Sequence, residues 1–550
     1  MMKINLKKFF DSPEKRYLFY ILIIAFLLRV YKCRINVDFS SGDEAGFVLS
    51  AVYWVKLFKC GGLPEFVKTF YRIASVTWGY GYQMVVFINI LILRLFNITL
   101  NEFTLTIPYI LMGTADCLLI YLLVKELYNK YAGIFASLIL AVSPWHILCS
   151  RTAGNHAVPV FLLLAALYFF VISLKTKLKE KKYYIPASVF MGLYIISDGQ
   201  FPAFVMLVFV IAYLFTRNTN NLEFLKYVFN RKILAFPVLF MLPVIFIQIY
   251  LILINKAVYG YLGHYFEKNS KLGFYLLDVL TYLKYNCGIL LLILFITAFF
   301  YALNKLKRLE PVSCAYFMLA LYAMPWLFLI PKESTMVQTY LFPIELSLII
   351  LAGVFIADIA KYVKGYNIVN ALVLTAVIII TLFYSASIYN YKIMTDELVL
   401  YNTGLLPNYG VKTAGYFIRQ NYTEDKNLKV FTDLEPPLGK YYFSDFKILS
   451  DFDINRDNKE ELIDLFNKYR YRADIAAVTL PSYLTLKDEL NKEGFKLSVI
   501  VTDHYRVIFM VMDKKTKMPV ISSVEQYDRM FDAKYGNLKG LFCEAPWGDN

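Results

Sequence analysis

Long apolar runs alternating with short polar loops fill the first 387 residues. The runs are Tyr17–Val30, Phe103–Val124, Tyr131–Ile147, His156–Leu174, Tyr183–Ile196, Phe201–Thr216, Ile233–Ile254, Asn286–Leu303, Ser313–Ile330, Thr339–Asp358 and Ile368–Ser387. Several approach or exceed the ~18 apolar residues that carry a helix across a bilayer. The pattern predicts a polytopic α-helical membrane protein of eleven spans. From Ile388 the pattern changes. Val411–Gln420 and Glu460–Tyr469 have the period of amphipathic helices, and Leu428–Thr432, Asp474–Leu480, Lys496–Thr502 and Val507–Met512 read as strands. Helices alternating with strands predict a small α/β domain. The expected domains are therefore 1–387, in the membrane, and 388–550, outside it.

Composition supports the membrane reading: 58% of residues are hydrophobic and only 18% charged, against about a quarter in a soluble protein. The charge of +15 is unevenly placed. Residues from Ile388 onward hold 22 basic and 24 acidic side chains, which leaves 35 basic and 18 acidic before them. That excess lies in short loops between apolar runs, as a positive-inside bias requires. It speaks against nucleic-acid binding. The seven cysteines are scattered without metal-ligand spacing, so neither a zinc site nor a disulfide framework is expected. No small-residue cleavage site follows Tyr17–Val30, which reads as a retained first helix.

The lysine run Lys175–Lys182 marks a cytoplasmic loop and orients the rest. The N-terminus is expected inside, and Asp43-Glu44, the Ser150–Asn155 loop, Asp198 and the C-terminal domain outside. One further apolar run, Gly79–Phe96, then has both ends on the outer side. It is expected to be an interfacial or re-entrant helix, which is tolerated where protein covers it or it lines a cavity.

This topology gathers Asp43-Glu44, Arg151 and Asp198 on one face, with Lys68 and Arg72 in the first external loop. A carboxylate beside cations suits a reaction in which an acceptor loses a proton and a phosphate leaves. Asp43 would act as general base, and the cations would hold the phosphate and its developing charge. The bland alternative is a solvated pair of acids at a helix start.

The same residues resemble membrane glycosyltransferases of the GT-C class, in particular the protein O-mannosyltransferase and lipid A aminoarabinose-transferase branch. The resemblance rests on Asp43-Glu44 after the first helix, Ser143-Pro144-Trp145-His146 through Ser150-Arg151-Thr152, Gly192-Leu193 through Asp198-Gly199, and Thr339-Tyr340-Leu341-Phe342-Pro343. It covers roughly residues 15–360. It implies a polyprenyl- or dolichyl-phosphate sugar donor, a first-loop aspartate as base, inversion at the anomeric carbon and an interfacial helix after the first external loop. Relatives carry Lys-Pro-Pro or His-Pro-Pro before that helix. Here Ser75–Tyr80 has neither, and Arg72 is the candidate to replace the missing cation.

Glu44 has three open roles: assisting the base, ligating a divalent metal, or capping the next helix. No cofactor is otherwise expected, beyond the lipid-phosphate sugar as donor substrate. Further candidates for substrate or phosphate contact are His146, Asn155, His156, His264 and Glu267, beside Arg151, Arg72, Lys68 and Asp198. Asp116 and Glu345 sit within apolar segments, where an acid is a functional candidate by default. Asp116 would pair with an arginine or face a wet cavity. The expected activity is transfer of a sugar from a lipid-phosphate carrier to a lipid, glycan or protein acceptor at the outer face of the cytoplasmic membrane. The rival is a transporter or flippase for a lipid-linked or small anionic substrate, with Asp116 and Glu345 as coupling groups. A rival of that kind commonly shows repeated halves, and the sequence has no internal repeat. A non-catalytic assembly subunit is a third reading.

Overall fold

The structure is a computed structural model. It describes residues 12–30, 80–98, 100–151, 157–197, 223–240, 289–307, 342–362, 427–434, 446–451, 459–502 and 507–514, with isolated positions between them. Asp43, Glu44, Lys68, Arg72, Asn155, His156, Asp198, His264 and Glu267 lie outside the described residues, as do the runs Phe201–Thr216, Ser313–Ile330 and Ile368–Ser387. The chain divides into two compact units, one of residues 1–31, 61–85 and 107–404, the other of 32–60, 86–106 and 405–550.

The first unit is helical. Its described elements are α1 (Pro13–Val30), the start of α2 (Tyr80–Leu95), most of α3 (Glu102–Leu127), α4 (Lys130–Val142), α5 (Pro144–Cys149), α6 (Ala157–Lys175), α7 (Lys181–Ser197), α8 (Glu223–Val228), α9 (Ile289–Lys307) and α10 (Phe342–Tyr362). Among the described residues, Phe103–Leu127 and Ala157–Lys175 are long and apolar enough to cross a bilayer, with mean hydropathies of 1.9 and 2.6. Gln83–Leu95, Lys130–Val142 and Ile289–Ala302 are shorter apolar helices.

The packing follows from small residues. Helix α4 lies between α1 and α10, and α10 also packs on α9. At the α4–α10 crossing, a Cβ on Gly353 would come within 2.8 Å of the Ala132 carbonyl oxygen and 2.9 Å of the Ala136 Cβ. Small residues let helix backbones approach in this way, and in lipid such contact is a main source of helix association. Gly353→Val is therefore expected to force α4 and α10 apart at a cost of about 1–3 kcal/mol. The check is the thermal midpoint of the purified protein in detergent, which should fall. An unchanged midpoint would mean that the two helices do not meet at Gly353.

The lysine run makes a tight turn between α6 and α7. Lys177 and Leu178 adopt left-handed backbone (φ 49° and 56°), and the Leu178 N–H returns to the Ser173 carbonyl at 2.8 Å. This is the 6→1 bond that closes a helix C-terminus. Leu178, the one apolar residue of Lys175–Lys182, is buried there.

In the second unit, Asn101 caps α3. Its Oδ1 accepts from the Thr104 N–H at 2.9 Å, and Thr104 Oγ1 accepts from the Asn101 N–H at 2.9 Å, a reciprocal arrangement that satisfies orphan donors. Among the described residues, the C-terminal part forms a five-stranded sheet of order β2-β1-β3-β5-β4, with β1 (Lys429–Phe431), β2 (Lys447–Leu449), β3 (Ile475–Thr479), β4 (Lys496–Thr502) and β5 (Val507–Asp513). β1 runs parallel to both its neighbours, while β5 is antiparallel to β3 and β4. Helices α11 (Lys459–Tyr469) and α12 (Leu480–Lys492) accompany it. Phe431, Phe466 and Phe495 form the aromatic centre of the core, with successive ring centroids 5.2 Å and 6.1 Å apart. At the end of β1, buried Asp433 accepts from the Thr479 N–H at 3.1 Å and its hydroxyl at 2.5 Å. This ties β1 to the start of α12.

Candidate functional site

Among the described residues of the helical unit, a buried cluster of polar side chains lies at the end of α4. The sequence pattern predicts one span over Tyr131–Ile147. The structure instead ends α4 at Val142 and starts α5 at Pro144. Ser143 between them has φ −59° and ψ 117°. Proline lacks a backbone N–H and disfavours helical ψ in the residue before it, so the break falls where Pro144 dictates.

Two polar contacts exploit the break. Ser143 donates its hydroxyl to Glu345 Oε1 of α10 at 2.7 Å. His146, in α5, stands between α1 and α3. Arg29 Nη2 lies 2.5 Å from His146 Nδ1, and His146 Nε2 lies 3.1 Å from Asp116 Oδ2. A guanidinium only donates, so Nδ1 must accept. The imidazole proton then sits on Nε2 and is donated to the Asp116 carboxylate. The result is a chain from the Arg29 guanidinium through the imidazole to the Asp116 carboxyl group. Arg29 and Asp116 are each 0% exposed and His146 is 1% exposed. Buried charges of this kind persist only when paired and hydrogen-bonded. Arg29 Nη1 also donates to the carbonyls of Ala25 at 2.7 Å and Ala141 at 3.4 Å.

Helix α3 is shaped for this contact. Gly113, Asp116 and Cys117 recur at helical spacing and share one face. A Cβ at Gly113 would lie 2.0 Å from Ser150 Oγ and 3.0 Å from Arg29 Nε. Glycine there gives both side chains their space. Ser150 donates to the His146 carbonyl at 2.5 Å and so closes the last turn of α5. Arg151 follows directly and is partly exposed.

Of the site residues expected from sequence, His146 and Arg151 are described. The structure brings both to this cluster or its edge, His146 inside and Arg151 one residue past its closing turn. Asp116 meets His146 rather than an arginine directly, and Arg29 stands on the far side of that imidazole. Sequence reasoning missed Arg29. Its signal was available: an arginine inside an apolar run is as unusual as the Asp116 that was singled out. Among the described residues no group of three or more His, Cys, Asp or Glu could hold a metal ion. The metal question concerns Glu44, outside those residues.

The fold has counterparts among solved structures. ArnT from Cupriavidus metallidurans bound to undecaprenyl phosphate matches at 13% identity, over 90% of this chain and 97% of that one, with a TM-score of 0.54. The Archaeoglobus fulgidus oligosaccharyltransferase tethered with an acceptor peptide containing the NVT sequon matches at 12% identity, over 92% and 74%, with a TM-score of 0.53. Residues 83–247 match the family model for dolichyl-phosphate-mannose-protein mannosyltransferases. No curated protein matches the chain by sequence. The chain thus has the fold of the GT-C glycosyltransferases, a polytopic helical membrane architecture.

Proposed function

We propose that this chain, built on the GT-C fold, transfers a sugar from a polyprenyl- or dolichyl-phosphate carrier to a lipid, glycan or protein acceptor at the outer face of the cytoplasmic membrane. The observation that carries the reading is the likeness over nine-tenths of the chain to a protein solved with undecaprenyl phosphate bound, together with the family match over residues 83–247. A further neighbour of this fold, the Archaeoglobus fulgidus AglB, was solved with an inhibitory peptide and a dolichol-phosphate. In this reading eleven spans in the membrane domain 1–387 carry the N-terminus inside and place the 388–550 domain outside.

Asp43 is the general base. It takes the proton of the acceptor nucleophile as that atom attacks the anomeric carbon, and the lipid phosphate leaves from the opposite side, which inverts the centre. Arg151 and Arg72 hold the phosphate and take up the charge that grows on it. Lys68, Asn155, His156, Asp198, His264 and Glu267 line the same outer face in the expected topology and contribute to donor or acceptor contact. Glu44 assists Asp43 or ligates a divalent cation.

The test is incubation of the purified protein, in proteoliposomes, with labelled polyprenyl-phosphate sugars and a mixture of envelope acceptors. Transfer of label from the lipid supports the enzyme. Movement of intact lipid-linked sugar across the bilayer without cleavage would establish the transporter instead.

A further inference from the structure

We propose that Arg29, His146 and Asp116 are positioning residues for Arg151, holding the short helix α5 so that the arginine meets a lipid phosphate. The proposal rests on the reading of Arg151 as a phosphate contact. The helix break at Ser143 leaves α5 with six residues, Pro144–Cys149. An isolated helix of that length is not stable on its own, because nucleation is costly. Its position must come from side chains. His146 makes two bonds at once, accepting from Arg29 Nη2 at 2.5 Å and donating to Asp116 Oδ2 at 3.1 Å. These bonds fix α5 to both α1 and α3. The next turn is tied to the same point. The Ser150 N–H donates to the His146 carbonyl at 3.0 Å, its hydroxyl donates there at 2.5 Å, and Ser150 packs into the space left by Gly113. Arg151 leaves from that anchor. His146 therefore acts through Arg151, not on the substrate: it is 1% exposed and both its ring nitrogens are engaged.

A glutamine amide presents an acceptor oxygen and a donor NH2 in one plane, at a reach close to that of the imidazole's far nitrogen. Leucine presents neither, and asparagine carries the same amide one methylene closer to the backbone, short of Asp116. The experiment measures binding of polyprenyl monophosphate to the full-length protein in nanodiscs, with the thermal midpoint of each variant recorded alongside. Arg151→Ala is expected to weaken binding tenfold or more. His146→Leu and His146→Asn are expected to weaken it to a similar degree, and His146→Gln to stay within threefold of wild type. His146→Asn serves if the leucine variant does not fold. Combined with Arg151→Ala, either defective His146 variant should add no further loss, since its effect runs through the arginine. In transfer assays the defective His146 variants should reproduce the KM and kcat changes of Arg151→Ala, since the arginine meets the phosphate before and during its departure. Wild-type binding by Arg151→Ala would overturn the phosphate assignment, and positioning with it. Weak binding by Arg151→Ala together with wild-type binding by His146→Asn, or additive losses in the double variant, would overturn the positioning role alone.

Discussion

Asp43→Ala is expected to lower kcat for sugar transfer by about 10²–10⁴-fold, the usual contribution of a positioned general base. Binding of the lipid phosphate and the thermal midpoint should stay at the wild-type value. The expectation follows from what each residue is asked to do. Arg151 and Arg72 meet the phosphate before and during departure, so their loss weakens both donor binding and the transition state. Asp43 meets only the acceptor proton, which moves in the transition state, so its loss falls on kcat. Single-turnover transfer from a labelled polyprenyl-phosphate sugar separates the two. Turnover within tenfold of wild type would remove Asp43 from the base role, and a collapse of donor binding would make it a binding residue.

The second large effect concerns stability. Asp116→Leu removes the buried acceptor of His146 Nε2–H and breaks the chain that reaches the buried Arg29 guanidinium. Breaking a buried pair by removing one partner costs about 3–5 kcal/mol, and that is the loss expected here. Replacing Arg29 and Asp116 together by leucine removes both charges and should cost clearly less than the sum of the two single changes. Contacting residues couple by about 0.5–3 kcal/mol, and the imidazole link between these two places them toward the upper end. Unfolding of the detergent-solubilised protein by denaturant titration gives the cycle. Additive single effects would show that the charges do not answer one another through His146.

Asp43 was reached from order along the chain: an acidic pair following the first apolar run, a count of lysines that put it on the outer side, and a resemblance that gave it a task. Arg29 was not reached that way. It stands within an apolar run, 87 residues before Asp116 and 117 before His146, and such distances carry no periodic signal. Asp116 was legible as an oddity because an acid within a span needs a partner, but the chain did not say which. Likewise the hydropathy of Tyr131–Ile147 predicts one span through Ser143-Pro144, since the flanking residues are mostly apolar. The pyrrolidine ring stops the helix locally, yet only the neighbouring helices decide what the freed turn touches.

The C-terminal part shows the same division. Lys496–Thr502, Val507–Asp513 and Lys459–Tyr469 match their expected ranges closely, because alternation and an amphipathic period are local properties. The three-residue strand β2 and helix α12 were not anticipated. β2 is too short to show alternation, and α12 begins directly at the end of a strand. The expected Asp474–Leu480 strand therefore yields its last residue to that helix, with Pro481 at the helix start, where its missing N–H costs nothing.

By itself, then, the sequence determined that this is a multi-span helical membrane protein followed by an α/β region, which loops are basic, and which acids are out of place. Those are consequences of hydrophobic period, length and charge, all of which act over a few residues. The tertiary structure decided that Glu345 faces Ser143, and that Arg29, His146 and Asp116 form one buried chain. A charge in an apolar interior is stable only against a partner that arrives from elsewhere in the chain, and that partner is chosen by how the helices pack.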